Sequence, residues 1–257
     1  MLSCLRMTRP AASPSASPSG SPSGSASAHP SPAPGWAAPT LTESAYARLE
    51  EMIVTLDLAP GSVVSEAILG RLLGIGTTPV REALQRLARE HLVQVLPRRG
   101  VVVTGVDLHQ QLHVLETRRE LDRLIARAAA RRARPAERAA LAALAAGMTE
   151  AARIQDARGF LRLDGQLSQA LAEAARNPVA AACVASLHAV ARRFWFYHHS
   201  AEEELTETAA LHVAVAGAVA EGQEAMAAEA SDRLIAQMIR LARRTVPELD
   251  PETGPTA

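Results

Sequence analysis

The sequence contains no lysine, and all 27 side chains with a fixed positive charge are arginine. Aromatic residues make up only 3%, and cysteine occurs twice, at Cys4 and Cys183. Two cysteines so far apart, one of them in a low-complexity stretch, exclude a disulfide framework and fit a reducing compartment. There is no net charge either, because 27 acidic residues balance the basic ones. No overall field therefore marks a nucleic-acid or membrane partner, and any such role has to rest on local charge. No run of about 18 apolar residues occurs, and the opening "MLSCLRMTRP" has no stretch apolar enough for a secretory signal. The expectation is a cytoplasmic protein with no membrane partner. No nucleophile, general base or complete metal-ligand set stands out, which argues against an enzyme.

What is present is alanine, leucine and arginine in quantity, all good helix formers, so a mostly α protein is expected. With 48% hydrophobic residues in 257, there is material for two small domains or one large one. Residues 1–40 read as a disordered tail: from Arg9 to Thr40 proline, serine, glycine and alanine almost exclude side chains able to offset the entropy of ordering. Trp36 is the one large apolar residue there. It either docks on the folded part or belongs to a solvated tail or a wrongly included upstream start. Residues 247–257 read as a second flexible tail.

Between residues 41 and 106 the texture is that of folded elements. "LTESAYARLEEMIVTLDL" places Ala45, Leu49, Met52, Ile53 and Leu56 on one helical face, with Thr42 or Ser44 available as N-cap. "APGSVV" is a Pro-Gly turn into a short extended piece. Ser65 can cap a second helix with apolar positions Ile68, Leu69, Leu72 and Leu73 and an end at Gly74. A third helix follows, with Thr78 suited to N-cap and Pro79 to the first helical position. Val80, Leu84, Leu87 and Leu92 point one way, Arg81, Gln85 and Arg89 another. "LVQVLP" and "GVVVT" then read as two strands joined across "RRG", with Gly100 supplying the permissive backbone.

Three helices and a hairpin in this order make a winged helix-turn-helix. Such a helix fits the major groove of duplex DNA, with its N-terminal end toward base edges and phosphate, and a basic hairpin tip reaches neighbouring phosphates or the minor groove. Between Gly76 and Gly100 stand Arg81, Arg86, Arg89, Arg98 and Arg99 against Glu82 and Glu90. This local surplus contrasts with the neutral whole. The expected DNA contacts are Thr77, Thr78, Arg81, Gln85, Arg98, Arg99 and Gly100. Arg86 and Arg89 could equally be solvated charges, and Arg98 and Arg99 could protect a sheet edge.

"TPVREALQRLAREHLVQVLPRRGVVV", preceded by "LAPGSVVSEAILGRLLGIG", resembles the DNA-binding domain of the GntR family of bacterial transcription regulators. The chain departs from that pattern at Gly76 and Thr77, where Ser-Arg is usual, at Ala67, where a basic residue is common, and at His91, which takes the place of a glycine. The resemblance therefore implies fewer ionic DNA contacts per subunit and a modest left-handed strain at His91.

Residues 107–246 read as an all-α bundle of six or seven helices joined by short connections. A long helix runs to Pro135, with Leu108, Leu112, Leu115, Leu121, Leu124 and Ile125 as buried candidates. Further apolar periodic segments follow near 136–154, 158–175, 178–197, 205–221 and 224–245. "VLETRRELDRLIARAAARRA" and "ALHVAVAGAVAEGQ" resemble the FCD ligand-binding domain of the FadR subfamily. That resemblance implies a homodimer on a palindromic operator, a small organic acid effector inside the bundle, and repression as the commoner mode of control. It also implies a divalent metal, Zn, Ni or Mn, held by an Asp and a His one turn apart and by two later His. Here Asp164 and His212 fill two of those places, while Ser168 and Leu234 stand in the others. A metal-free pocket is therefore expected, with Asp164 and His212 as effector contacts or a buried hydrogen-bonded pair. Arg118 matches an arginine that can hold a carboxylate in a fork, or it belongs to a solvent-facing ion-pair ladder. His188, His198 and His199 could replace the missing ligands by turning inward, or "FWFYHHS" is a helix end whose histidines lie at the surface. The alternative is a dimeric metabolite- or metal-binding module with weakened DNA binding.

Overall fold

A computed structural model of the chain describes residues 39–96, 100–199 and 202–245. The expected tails lie outside the described residues except for Pro39 and Thr40, and Trp36, Arg98 and Arg99 lie outside them too.

Helix α1 spans Leu41–Val54. Its N-cap is Thr40, not Thr42 or Ser44: the Thr40 hydroxyl accepts from the Glu43 N–H, and the Glu43 carboxylate accepts from the Thr40 N–H, a capping box. Thr42 is drawn away, donating from Oγ1 to Glu82 at 2.7 Å. Ala45, Leu49 and Ile53 are fully buried, but Leu56 lies beyond the helix in a turn at φ 63 and is only half-buried.

After the short strand β1 (Val63–Val64), Ser65 caps α2 (Glu66–Leu73) through the Ile68 N–H, and Gly74 ends it at φ 66. Only Leu69 and Leu73 of its expected apolar positions are buried; Ile68 and Leu72 are exposed. Eight residues make barely two turns, and only one i, i+4 stripe can face a single neighbour. Helix α3 spans Thr77–Arg89, with Gly76 as N-cap and no side-chain cap. Pro79 is thus the third helical residue rather than the first. Every N–H of a first turn lacks an intrahelical acceptor, so proline costs no hydrogen bond at either place.

Strands β2 (Val93–Leu96) and β3 (Gly100–Val103) form the expected hairpin, and β1 pairs on the other side of β3, giving an antiparallel sheet ordered β1-β3-β2. Gly100 has φ 96, and a Cβ there would come within 2.8 Å of the Val64 carbonyl oxygen.

Six helices follow: α4 (Leu108–Arg132), α5 (Pro135–Arg153), α6 (Ala157–Ala174), α7 (Pro178–His198), α8 (Glu202–Glu221) and α9 (Glu224–Arg244). Helix α4 is the axis, packed against α9, α7, α6 and α8. Leu115 and Ile125 are buried as expected, Leu108, Leu112 and Leu121 half-buried, and Leu124 exposed, while Ala126 and Ala128 to Ala130 carry the core instead. Alanine lets helix axes approach closely, so the interior fills without many rings.

The three-helix head meets the bundle through arginines. Arg158 holds Asp57 at 2.8 Å, Arg162 reaches Glu51 and Arg192 contacts Glu50, all acids at or just after α1. Arg193 is 1% exposed and donates to the carbonyls of Thr104 and Gly105 in the connection to α4. Burial lowers this guanidinium from its ordinary value to about 10.

Candidate functional site

The apolar side of α3, with Val80, Ala83, Leu84 and Leu87, faces the head's core, which leaves Thr77, Thr78, Arg81, Gln85 and Arg89 on the exposed side. Because Gly76 has no side chain to cap the helix, the first N–H groups are left for an outside acceptor such as a phosphate. Arg81 projects outward, 59% exposed, and is steadied by Glu66 at the start of α2: Nε donates to both carboxylate oxygens and Nη2 to one at 2.7 Å. Those hydrogen bonds hold the Glu66 carboxyl below its usual range, so the pair stays ionised. Arg86 is different. It lies over the Tyr46 ring, 3.6 Å from its centroid, and donates to Glu90, which also accepts from the Tyr46 hydroxyl at 2.7 Å. Its task is to join α1 to α3. Arg98 and Arg99 lie outside the described residues, Gly100 is tied to the sheet beside β1, and His91 takes the expected left-handed conformation at φ 60.

The bundle encloses a cavity of about 40 Å³ between α4, α6, α7, α8 and α9. Arg118, Asp164, Ser168, His212 and Leu234 all line it, so the five positions named from the sequence converge on one space. Arg118 is 4% exposed, yet it is neither open nor part of a solvent ladder: Asp122, one turn on, takes its Nη2 at 2.9 Å. His188 does turn inward. It faces the interior, its Nδ1 3.0 Å from the Ser168 hydroxyl and its Nε2 3.6 Å from Asp122. A chain of polar groups thus runs Arg118, Asp122, His188, Ser168. Burial works to raise Asp122, but Arg118 and His188 outweigh it and hold the carboxyl below its usual range; burial also lowers His188, which favours the neutral ring.

On the opposite side, Asp164 lies 3.1 Å from His212 Nε2, and His212 Nδ1 is 2.8 Å from the Thr208 carbonyl. Both ring nitrogens thus lie within hydrogen-bond distance of an oxygen. Burial would raise Asp164, but the bond and charge of His212, with Arg192 and His188 behind it, pull it well below the usual carboxylate range. This donor set does not fit a divalent ion. Ser168 and Leu234 stand where two imidazoles would be needed, Leu234 offers no lone pair, and among the described residues no group of three or more His, Cys, Asp or Glu side chains is placed to hold a metal.

Sequence reasoning missed Asp122 and Arg192. Asp122 had a signal, its i, i+4 spacing from Arg118. Arg192 had none, since its partners lie far away in the chain. Its Nε is 4.0 Å from Asp164, its Nη2 contacts Glu50 of α1, and a Cβ on Gly165 would fall 2.6 Å from its Nη1. Burial raises Glu50, and the Arg192 charge opposes that rise. One guanidinium therefore bridges the cavity wall and the first helix of the head.

Residues 41–103 match the family described as bacterial regulatory proteins, gntR family, and residues 113–237 match the FCD domain. Over 62 residues, 24% of this chain, the sequence is 50% identical to an HTH-type transcriptional regulator in an unstable DNA locus of Streptomyces ambofaciens, 26% of which is covered. Over 90 residues, 35% of this chain, it is 31% identical to the HTH-type transcriptional repressor RspR of Escherichia coli, 40% of which is covered. The similarity thus spans less than half the length of either relative. The solved structure of E. coli McbR/YncC is similar with a TM-score of 0.71, covering 81% of this chain and 99% of that one at 20% identity. At that identity the likeness concerns the fold.

Proposed function

The chain belongs to the gntR family of bacterial regulatory proteins, with an FCD domain behind its head, and from that premise we propose that it is a ligand-responsive, DNA-binding transcription regulator and not an enzyme. Helix α3 enters the major groove, with Thr77, Thr78, Arg81 and Gln85 toward the duplex; Arg98 and Arg99, outside the described residues, are expected from the sequence to add phosphate contacts. Two copies act together, because a two-fold dimer asks for two half-sites in a palindromic or near-palindromic operator. Control is repression, the role named for the E. coli relative RspR. The protein works in the cytoplasm.

The effector is a small organic acid bound in the bundle cavity without a metal. Arg118 offers its fork once Asp122 yields, and the hydrogen-bonding groups of Asp164 and His212 orient the rest of the molecule. A cavity of about 40 Å³ holds a few waters, so the acid selects an expanded arrangement of the helices. The observation that carries this reading is Arg192, shared between Asp164 and Glu50: when the cavity wall moves, the arginine that holds α1 moves with it. An effector changes DNA affinity only by favouring one arrangement of the heads.

The test has two arms. Binding to a duplex from the protein's own promoter, followed by fluorescence anisotropy, should weaken about tenfold or more with Arg81→Ala while the melting temperature stays where it was. Titration with small organic acids should raise the melting temperature for the acid that fits. Equal duplex binding by wild type and Arg81→Ala would contradict the reading of α3, and duplex binding absent from both would favour a metabolite-binding module instead.

A further inference from the structure

A second and larger space, of about 260 Å³, opens at the end of the bundle next to the connection with the head, and nothing in the proposed function uses it. The first turns of α4 and α8 and the last turns of α7 and α9 surround it. Its floor is apolar, with Phe194, Met238 and Leu241, and its aromatic wall is built by consecutive turns of α7. There His199 stacks on Trp195 at 4.4 Å between centroids and 19° between planes, and His198 packs on Phe194 at the same separation.

Three polar atoms of its lining are buried and have no hydrogen-bond partner among the described residues: Gln111 Oε1, Trp195 Nε1 and His199 Nδ1, the last with the Glu204 carboxylate 3.8 Å away, beyond hydrogen-bond reach. Buried polar atoms are nearly always satisfied, and each one left alone costs folding free energy. Three around one cavity mark it as built for a molecule with matching polar edges. The chemistry of that molecule can be read from the atoms. Trp195 Nε1–H can only donate, so the ligand presents an acceptor to it; the Gln111 side-chain oxygen asks for a donor. The flat stack on α7 suits a planar ring. Glu204 and Arg244, both in the lining, cancel in charge, and burial lowers His198 and His199 toward their neutral forms, so no unbalanced charge calls for an ion.

We infer that this cavity is a second small-molecule site, separate from the Arg118 cavity, which takes a neutral planar aromatic or heteroaromatic amide. Its volume, at the low end for ligand pockets, limits the occupant to one or two rings. Its position also gives it a route to the head. Arg193, between Arg192 and the Phe194 of the cavity wall, donates to the carbonyls of Thr104 and Gly105, so an occupant that shifts the last turn of α7 shifts the hold on the connection.

The chain has two tryptophans, Trp36 and Trp195, so full-length protein carrying Trp36→Phe reports on Trp195 alone. Benzamide and nicotinamide should change its emission saturably. Benzoate, the charged counterpart of benzamide, should bind at least tenfold more weakly, whereas a ligand of the Arg118 cavity would show the reverse preference. Gln111→Leu should weaken benzamide at least tenfold. The inference is overturned if neither amide gives a saturable change, if benzoate binds as tightly as benzamide, or if a folded Gln111→Leu protein binds as wild type does. Should that variant not fold, the benzamide-to-benzoate ratio in otherwise unaltered protein decides. These outcomes are read without DNA and rest on the binding of the neutral amides, so they stand apart from the proposed function.

Discussion

The head and the bundle use the same side chains under opposite conditions. In the head, Arg81 and Glu66 meet in water, with side chains 59% and 30% exposed; in the bundle, Arg118 and Asp122 meet at 4% and 15%. An exposed pair contributes little to stability and exchanges partners at small cost. A buried pair has lost its hydration, and removing one member strands the other. The difference suits the two tasks. A DNA-reading arginine has to leave Glu66 for a base or phosphate without disturbing the fold, while an effector has to replace buried partners and so reorganises the helices that hold them.

The contrast can be broken most sharply by Asp122→Ala, which leaves Arg118 buried and unpaired. Unfolding followed by denaturant should show a loss of about 3 to 5 kcal/mol, and an unchanged midpoint would mean that the pair is not buried in solution. Gly100→Ala tests the head where it is most rigid. With φ 96 and the Val64 oxygen 2.8 Å from an added Cβ, the same measurement should show a loss of about 1 to 3 kcal/mol. A smaller effect comes from pH. Burial lowers His188, His198 and His199 in the folded state, whereas an unfolded histidine titrates near about 6.5. Below that pH the unfolded chain binds protons that the folded one refuses, so stability should fall as pH drops through about 6.5. Asp122 and Asp164, held below the usual carboxylate range, add a second loss only when pH drops below about 4. His188→Gln should shrink the first window, leaving the part due to His198 and His199, and should also narrow the second, because His188 helps to hold Asp122 and Asp164 low. The smallest effect on stability belongs to Arg81→Ala, whose consequence should appear in duplex affinity alone.

The head was the more legible half because its signals are local. Ser65 before an apolar run, Gly74 after it and the valines of β2 and β3 each act within a few residues, and they sit where expected. The expected start of α3 lay two residues too late because proline is tolerated throughout a first turn, so Pro79 could not set the register. Helix periodicity pointed to six or seven helices in the bundle, six of which stand among the described residues, but not to its polar interior. Periodicity sorts apolar from polar faces, and Arg118, Asp122 and His188 are polar residues on a buried face. The bridge from Arg192 to Glu50 joins positions 142 apart in the chain, and no local pattern announces it.

The claim on which the account turns is that Arg192 carries the state of the cavity to α1. Duplex affinity should be measured with and without an organic acid shown to raise the melting temperature, in wild type and in Arg192→Gln. The account predicts that the acid shifts duplex affinity in wild type but not in the variant, although it still raises the variant's melting temperature. An equal shift in both proteins would contradict it.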